Sequence, residues 1–313
     1  QLGISVGGKF KKKVAFRFDG FYGIVSFPSL SRSKIDSTEI VPGFGEYLKA
    51  DGENYHYLSV SGHLSYSPWR ELNLQAGIGK NFFGEGYRSL FLSDNSASYP
   101  FVKATVDIWK FKYIWMFGAL KEPDLDRANN KLQNKLLFTH YLSWNATKWL
   151  NLNFFEAIVS NPVDSMGVSY FNINYLNPVI FFRPTEFSGG SADNALLGLG
   201  GKIKLWKKYH FYSQVIIDEF VLSELRSGND WWGNKYGIQA GLKVFDLLNI
   251  ENLFGRIEYN LIRPYTYSYS NSINNYGSHY QPLAHPSGAN VEELVAQIHY
   301  HKNRYSFELK GVF

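Results

Sequence analysis

The 313-residue chain is 45% hydrophobic, 18% aromatic and 19% charged, with 28 glycines, no cysteine and a net charge of +5. The lack of cysteine excludes a disulfide framework and a thiolate zinc site, and 32 basic residues mixed among 27 acidic ones leave no long basic run for nucleic acid, Lys11-Lys12-Lys13 reading as a solvated turn. No stretch reaches the roughly 20 apolar residues of a spanning helix, and the sequence opens on Gln1 without Met or an apolar signal segment, so a processed or partial chain is expected.

In chain order, the dominant pattern is a period of two. Leu2, Ile4, Val6 and Phe10 alternate with Ser5 and Lys9, and Val14, Phe16 and Phe18 alternate with Ala15, Arg17 and Asp19. The pattern recurs at 58–64, 72–79, 102–108, 197–205, 238–244, 253–261, 294–301 and 305–311. Residues 135–145 and 210–220 alternate less cleanly and are assigned as strands partly from their neighbours. Alternation at period two is the signature of a strand with two unlike faces. About fourteen strands are predicted, most of roughly 9–12 residues, the length a tilted strand needs to cross a bilayer.

The connections alternate in size. Short turns fall at 11–13, 68–71, 110–112, 146–148, 207–209, 248–252 and 302–304. Long polar excursions fall at about 27–55, 82–99, 121–134, 160–193, 222–235 and 264–291. Tight turns on one rim and long loops on the other predict a transmembrane antiparallel β-barrel of the outer membrane of a Gram-negative bacterium. Trp69, Trp109, Trp144, Trp149 and Trp206 all stand beside short turns, where an aromatic belt meets lipid headgroups. The apolar rows then face lipid, while Arg17, Asp19, Lys103, Asp107, Arg256, Glu258 and Glu308 face a water-filled lumen. A soluble β-sandwich also alternates, but with its apolar faces inward. Backbone groups in lipid must all be paired, so the sheet has to close.

The first and last connections are both short turns. Barrels of this kind begin and end on the short-turn side, so the pattern predicts one barrel domain over 1–313 lacking strands at both ends, with sixteen or more strands in the complete barrel; with one connection misplaced, fourteen strands would close alone.

Three loop stretches, NFFGEGYRSLFLSDNSASYPFVK (81–103), YLNPVIFFRPTEFSGGSADNALLGL (175–199) and HYQPLAHPSGANVEELV (279–295), resemble the Wzi-like capsule-assembly family of outer-membrane proteins. The likeness is nearest to the Bacteroidota branch that includes the gliding-motility protein RemB. It implies an 18-stranded barrel and a part in retaining or organising surface polysaccharide, or in a gliding-motility or type IX secretion complex at the cell surface. Its implied partners are outer-membrane lipid with surface polysaccharide or other outer-membrane proteins.

The loops carry the candidate sites. Glu85, Arg88 and Asp94 follow the strand ELNLQAGIGK, either as groups for sugar hydroxyls or as an ion-paired loop packed in the barrel mouth. Val179, Ile180, Phe181 and Phe182, ending at Arg183 between two prolines, form an apolar segment expected to plug the lumen or to dock another membrane protein. Trp231 and Trp232 beside Asp230 match a sugar-stacking platform or an interfacial pair. Tyr267 and Tyr269 belong to a Tyr/Asn-rich loop of the composition found in adaptable recognition surfaces.

His299 and His301 share one strand face, but no third ligand stands at a matching spacing, so neither a metal nor a cofactor is expected. No GxSxG, HExxH or phosphate-binding loop occurs, which argues against an enzyme. A solute pore and a barrel hydrolase remain the alternatives to surface binding.

Overall fold

A computed structural model describes residues 2–123, 132–163, 173–178, 193–219 and 232–313. Among these, fourteen strands follow one another in a single antiparallel path: β1 Leu2–Phe10, β2 Val14–Ser26, β3 Asn54–Trp69, β4 Leu72–Gly79, β5 Tyr99–Ile108, β6 Phe111–Pro123 and β7 Leu132–Trp144, then β8 Leu150–Ser160, β9 Asn194–Leu205, β10 Tyr209–Ile217, β11 Tyr236–Val244, β12 Leu253–Ile262, β13 Val291–Lys302 and β14 Tyr305–Val312. The stretches of weaker alternation at 135–145 and 210–220 correspond to β7 and β10. The first and last strands of the path are its edges, and each inner strand pairs with its two sequence neighbours.

The sheet is inside-out relative to a water-soluble protein. On β12, Ile257 is 50% exposed and the adjacent Glu258 is 0% exposed. Leu64, Leu199 and Leu309 stand outward like Ile257, whereas Gln214, Gln239 and Asn260 are buried within. A sandwich core would place these rows the other way round; hydrocarbon around the wall accounts for the observed order, because apolar side chains lose nothing by facing lipid.

Tight turns set the inner rim. Lys11 and Lys12 take φ of 47° and 59°, and Trp206 and Lys207 take 44° and 63°, the left-handed pair that matches strand twist in a two-residue hairpin. Pro68, which has no N–H to give the ladder, sits where the β3–β4 register shifts between Tyr66 and Trp69. The five turn-side tryptophans are all exposed, Trp109 and Trp206 by more than four-fifths, as a headgroup belt requires.

The long-loop end is covered by structure that alternation alone did not foretell. The helix α1, Ser29–Thr38, lies in the 27–53 excursion, with Ile35 packed under it against Val41 and Tyr55. The largest buried apolar cluster lies inside the wall, where the sequence predicted water. Loop residues Leu90, Phe91 and Leu92 are fully buried against wall residues such as Met116, Leu137, Phe155 and Ile216. The inward rows near the loop ends carry most of this cluster, interrupted by buried charged groups such as Glu122, Lys135 and Glu293. One loop touching β5, β7, β8, β10, β12, β13 and β14 requires the sheet to curve around it.

Candidate functional site

The plug is the 80–98 loop. Its tip packs by aromatic stacking: the Phe91 and Phe155 rings lie 5.1 Å apart and the Phe83 and Tyr141 rings 5.2 Å apart, both near-parallel. Burying Leu90, Phe91 and Leu92 contributes about 1.5–3 kcal/mol each. Their backbone polar groups are met by buried partners. Leu90 N–H donates to Gln214 Oε1 at 2.8 Å, while Tyr267 and Tyr276 hydroxyls donate to the carbonyls of Leu90 and Phe91 at 3.0 and 2.8 Å. Burial raises both phenols well above their ordinary range, so they remain donors.

Beneath the tip, charged side chains tie the loop to the wall. The Glu258 carboxylate accepts from Tyr87 N–H (2.6 Å), Arg88 N–H (2.9 Å), the Tyr212 hydroxyl (2.6 Å) and Asn260 Nδ2 (3.1 Å). That set fills the acceptor capacity of a carboxylate. Arg88 is held by Glu293 through Nε and Nη2 at 3.0 and 2.9 Å, and His285 Nε2 lies 3.0 Å from the same carboxylate. Glu85 is paired with Lys202 and, at 3.5 Å, with Lys243. The Tyr87 hydroxyl accepts from Lys310 at 2.8 Å, and its ring lies 5.0 Å from the Arg88 guanidinium and 5.9 Å from that of Arg256. Gly86 permits the approach: a Cβ there would stand 2.5 Å from Glu258 Oε2 and 2.7 Å from Gln239 Oε1. Toward the short turns the space under Glu85 opens into a polar cavity of about 810 Å³ bordered by Tyr141, Asn151 and Lys202.

Above the plug, three loops form the outer surface. Asp94 is exposed. Lys80 is pushed down from its ordinary pKa by burial, with Asp94 opposing. Tyr267 is turned inward onto Leu90, with its N–H on Asp218 at 2.8 Å, and Tyr269 N–H is held by Asn275 Oδ1 at 2.7 Å. Trp232 is 63% exposed and meets Tyr265 edge-on at 5.9 Å. These two rings form an open aromatic surface. Asp230, Trp231, Val179, Ile180, Phe181, Phe182 and Arg183 lie outside the described residues. Glu85 and Arg88 are thus brought together with the wall, whereas Asp94 and Trp232 face outward from separate loops. His299 Nε2 lies 2.8 Å from Ser306 Oγ, and among the described residues no cluster of three metal-ligating side chains occurs.

The turn Ile173–Leu176, just before Val179, lies on the outer face of the wall. Tyr175 is fully buried there against Phe138, Ile158 and Ala195, and its hydroxyl donates to Asp193 at 2.8 Å. The Tyr113 hydroxyl, on the same face, donates to Pro178 O at 2.6 Å. His140 and Glu156 on these outward rows are buried although lipid should surround them, and a covered sector of wall relieves the cost of placing a carboxylate in hydrocarbon.

No protein-family model matches the sequence, and no curated protein does. Among solved structures the chain is similar to that of Wzi, described as an outer-membrane protein involved in group 1 capsule assembly in Escherichia coli and a carbohydrate-binding β-barrel. The TM-score is 0.57 at 12% identity over 91% of this chain and 66% of that one, so the chain spans a little under two thirds of its length. It also aligns with Pseudomonas aeruginosa OpdL (TM-score 0.46, 11% identity, 100% of this chain and 76% of that one) and with an anion-selective porin from Comamonas acidovorans (TM-score 0.42, 9% identity, 99% and 88%). The inside-out wall and the likeness to Wzi together assign the fold: a transmembrane antiparallel β-barrel of the outer-membrane type.

Proposed function

We propose that this chain is a non-enzymatic outer-membrane barrel, a single domain of a Gram-negative envelope, that binds or organises surface polysaccharide through its long loops. The observation that carries the reading is the plug. Leu90, Phe91 and Leu92 pack against the inner wall between β5 and β12, and Glu85, Arg88, Glu258 and Glu293 fasten the loop beneath them. A loop fastened inside the wall in this way favours the outer surface as the working part. Wzi, a carbohydrate-binding β-barrel, has a similar fold. Trp232 with Tyr265 offers an aromatic face for sugar rings, Asp94 offers a carboxylate for hydroxyls, Asp230 and Trp231 adjoin Trp232 in the sequence, and Tyr269 belongs to the loop of Tyr265.

Two measurements test this. Purified barrel in planar bilayers is expected to show no steady conductance; a steady open current would favour a solute pore and sink the reading. Glycan-array binding is expected to be lost on joint Trp231→Ala and Trp232→Ala substitution, and unchanged binding removes the aromatic platform.

A second reading rests on the covered outer wall. The Ile173–Leu176 turn over Phe138 and Ile158 makes a protein surface where lipid would otherwise lie, suited to another outer-membrane protein of a gliding-motility or type IX secretion assembly. Gentle extraction followed by identification of co-purifying proteins separates it from the first: a capsule polymer favours one, an envelope complex the other.

A further inference from the structure

The loops that close the outer end leave a cavity of about 500 Å³ between α1 and the hairpin of Gly277–Ser278 with Gln281–Pro282. Its lining includes Lys34, Asn95, His279 and Gln281 as polar groups, and Tyr280 and Pro282 as flat apolar ones; among the described residues no Asp or Glu borders it, although the Glu122 carboxylate acts on Tyr280. The surround is stitched from three excursions. Gly43 N–H donates to Gln281 Oε1 at 2.9 Å, and Asn95 Nδ2 donates to Pro282 O at 3.4 Å.

The hairpin tip supplies two of the lining residues. His279 and Tyr280 take φ of 52° and 58°, the two central positions of a turn that ordinarily holds Asn or Gly. Side chains with a Cβ are costly there, as they are at Lys11–Lys12 and Trp206–Lys207. Here both strained residues line the cavity. Burial, with Lys121 and Lys135 nearby, pushes the His279 imidazole down to about 4, so at neutral pH it is uncharged; Nδ1 is engaged with Ser278 Oγ at 2.9 Å, which leaves Nε2 for one hydrogen bond to a ligand.

A cation and neutral donors without a carboxylate, next to a Tyr ring, suit a sugar that carries its own negative charge. Hydroxyls have Asn95 and His279, the ring face has Tyr280, and an acid group has Lys34. Building on the polysaccharide reading above, we infer that this cavity binds an acidic sugar residue, of the uronate class, in a surface polysaccharide.

The test is calorimetric titration of the full chain in detergent with oligogalacturonate and, separately, with neutral malto-oligosaccharide. Oligogalacturonate is expected to bind more tightly, and Lys34→Gln, an exposed position on α1, to weaken it about tenfold. Tyr280→Gly is expected to weaken binding while raising the unfolding temperature, because glycine adopts that φ freely. A purely structural role for Tyr280 would not move the two readouts in opposite directions. Equal affinity for both sugars, or binding that ignores both substitutions, overturns the cavity assignment and leaves glycan binding by the other loops standing. A native chain that binds no glycan overturns the polysaccharide reading itself.

Discussion

Arg88 and Glu293 meet in a two-pronged pair, Nε to Oε2 at 3.0 Å and Nη2 to Oε1 at 2.9 Å, although 205 residues separate them in the chain. The loop arginine enters the barrel from above and the glutamate projects from β13. Closing so long a span is entropically costly, and the pair holds because the fold has already placed its carriers together. Glu293→Gln leaves Arg88 partly buried with its charge unmatched. The expected loss is about 2–3 kcal/mol, below the range for a fully buried pair because Arg88 keeps some access to water. Urea unfolding in detergent checks it.

The apolar tip should be separable from the charged base. Phe91→Ala removes the stack on Phe155 and opens a cavity at a fully buried position. A loss of about 3–5 kcal/mol is expected, with intermittent conductance in planar bilayers as the loosened loop samples other positions. A variant as tight and as stable as the native chain would mean that the tip does not seal the lumen.

Gly86→Ala tests the close approach at the base. The new methyl would sit 2.5 Å from Glu258 Oε2 and from Arg88 O, so the loop must shift or the carboxylate must lose its backbone donors. Overpacking of this kind costs about 1–3 kcal/mol, and the expected signature is a lower unfolding midpoint with strand content unchanged by circular dichroism.

Acid should weaken the outer cap. Burial holds His279 at about 4 in the folded chain, and burial also lowers His285 despite the adjacent Glu293. The unfolded imidazole titrates near 6.5. Between those two values the unfolded chain binds a proton at His279 that the folded chain does not, so stability falls as pH drops from about 6.5 toward 4 and is unaffected by this group above about 7. His279→Asn removes that contribution and places a residue tolerant of positive φ in the turn. Its unfolding temperature should fall less steeply across the same window; an unaltered slope would exclude His279 as a source.

Alternation along the chain was enough to locate the strands, because each β segment lies between two unlike media and its side chains must follow a period of two. Leu72 through Ile78 and the rows around Glu258 show this plainly. The turn-side tryptophans were legible for the same reason: an interface favours one kind of ring. The plug was harder to see. Leu90-Phe91-Leu92 is a short apolar run within a polar loop, and nothing local distinguishes a run that enters the lumen from one that lies on the membrane. The run at 179–182 is longer and bounded by prolines, and it lies outside the described residues; the described turn before it packs on the outer wall.

The sequence by itself determined a wall of alternating strands with lipid on one face, and the rim on which each turn or loop lies. Only the tertiary structure decided what occupies the interior and where the strained His279–Tyr280 tip points its chemistry. The physical reason is range. Strand alternation is a local response to solvent on either side, whereas Glu258 binding Tyr87 and Arg88, Glu293 binding Arg88, and Gln281 binding Gly43 join residues between 170 and 238 positions apart. Contacts of that kind exist only once the sheet has curved.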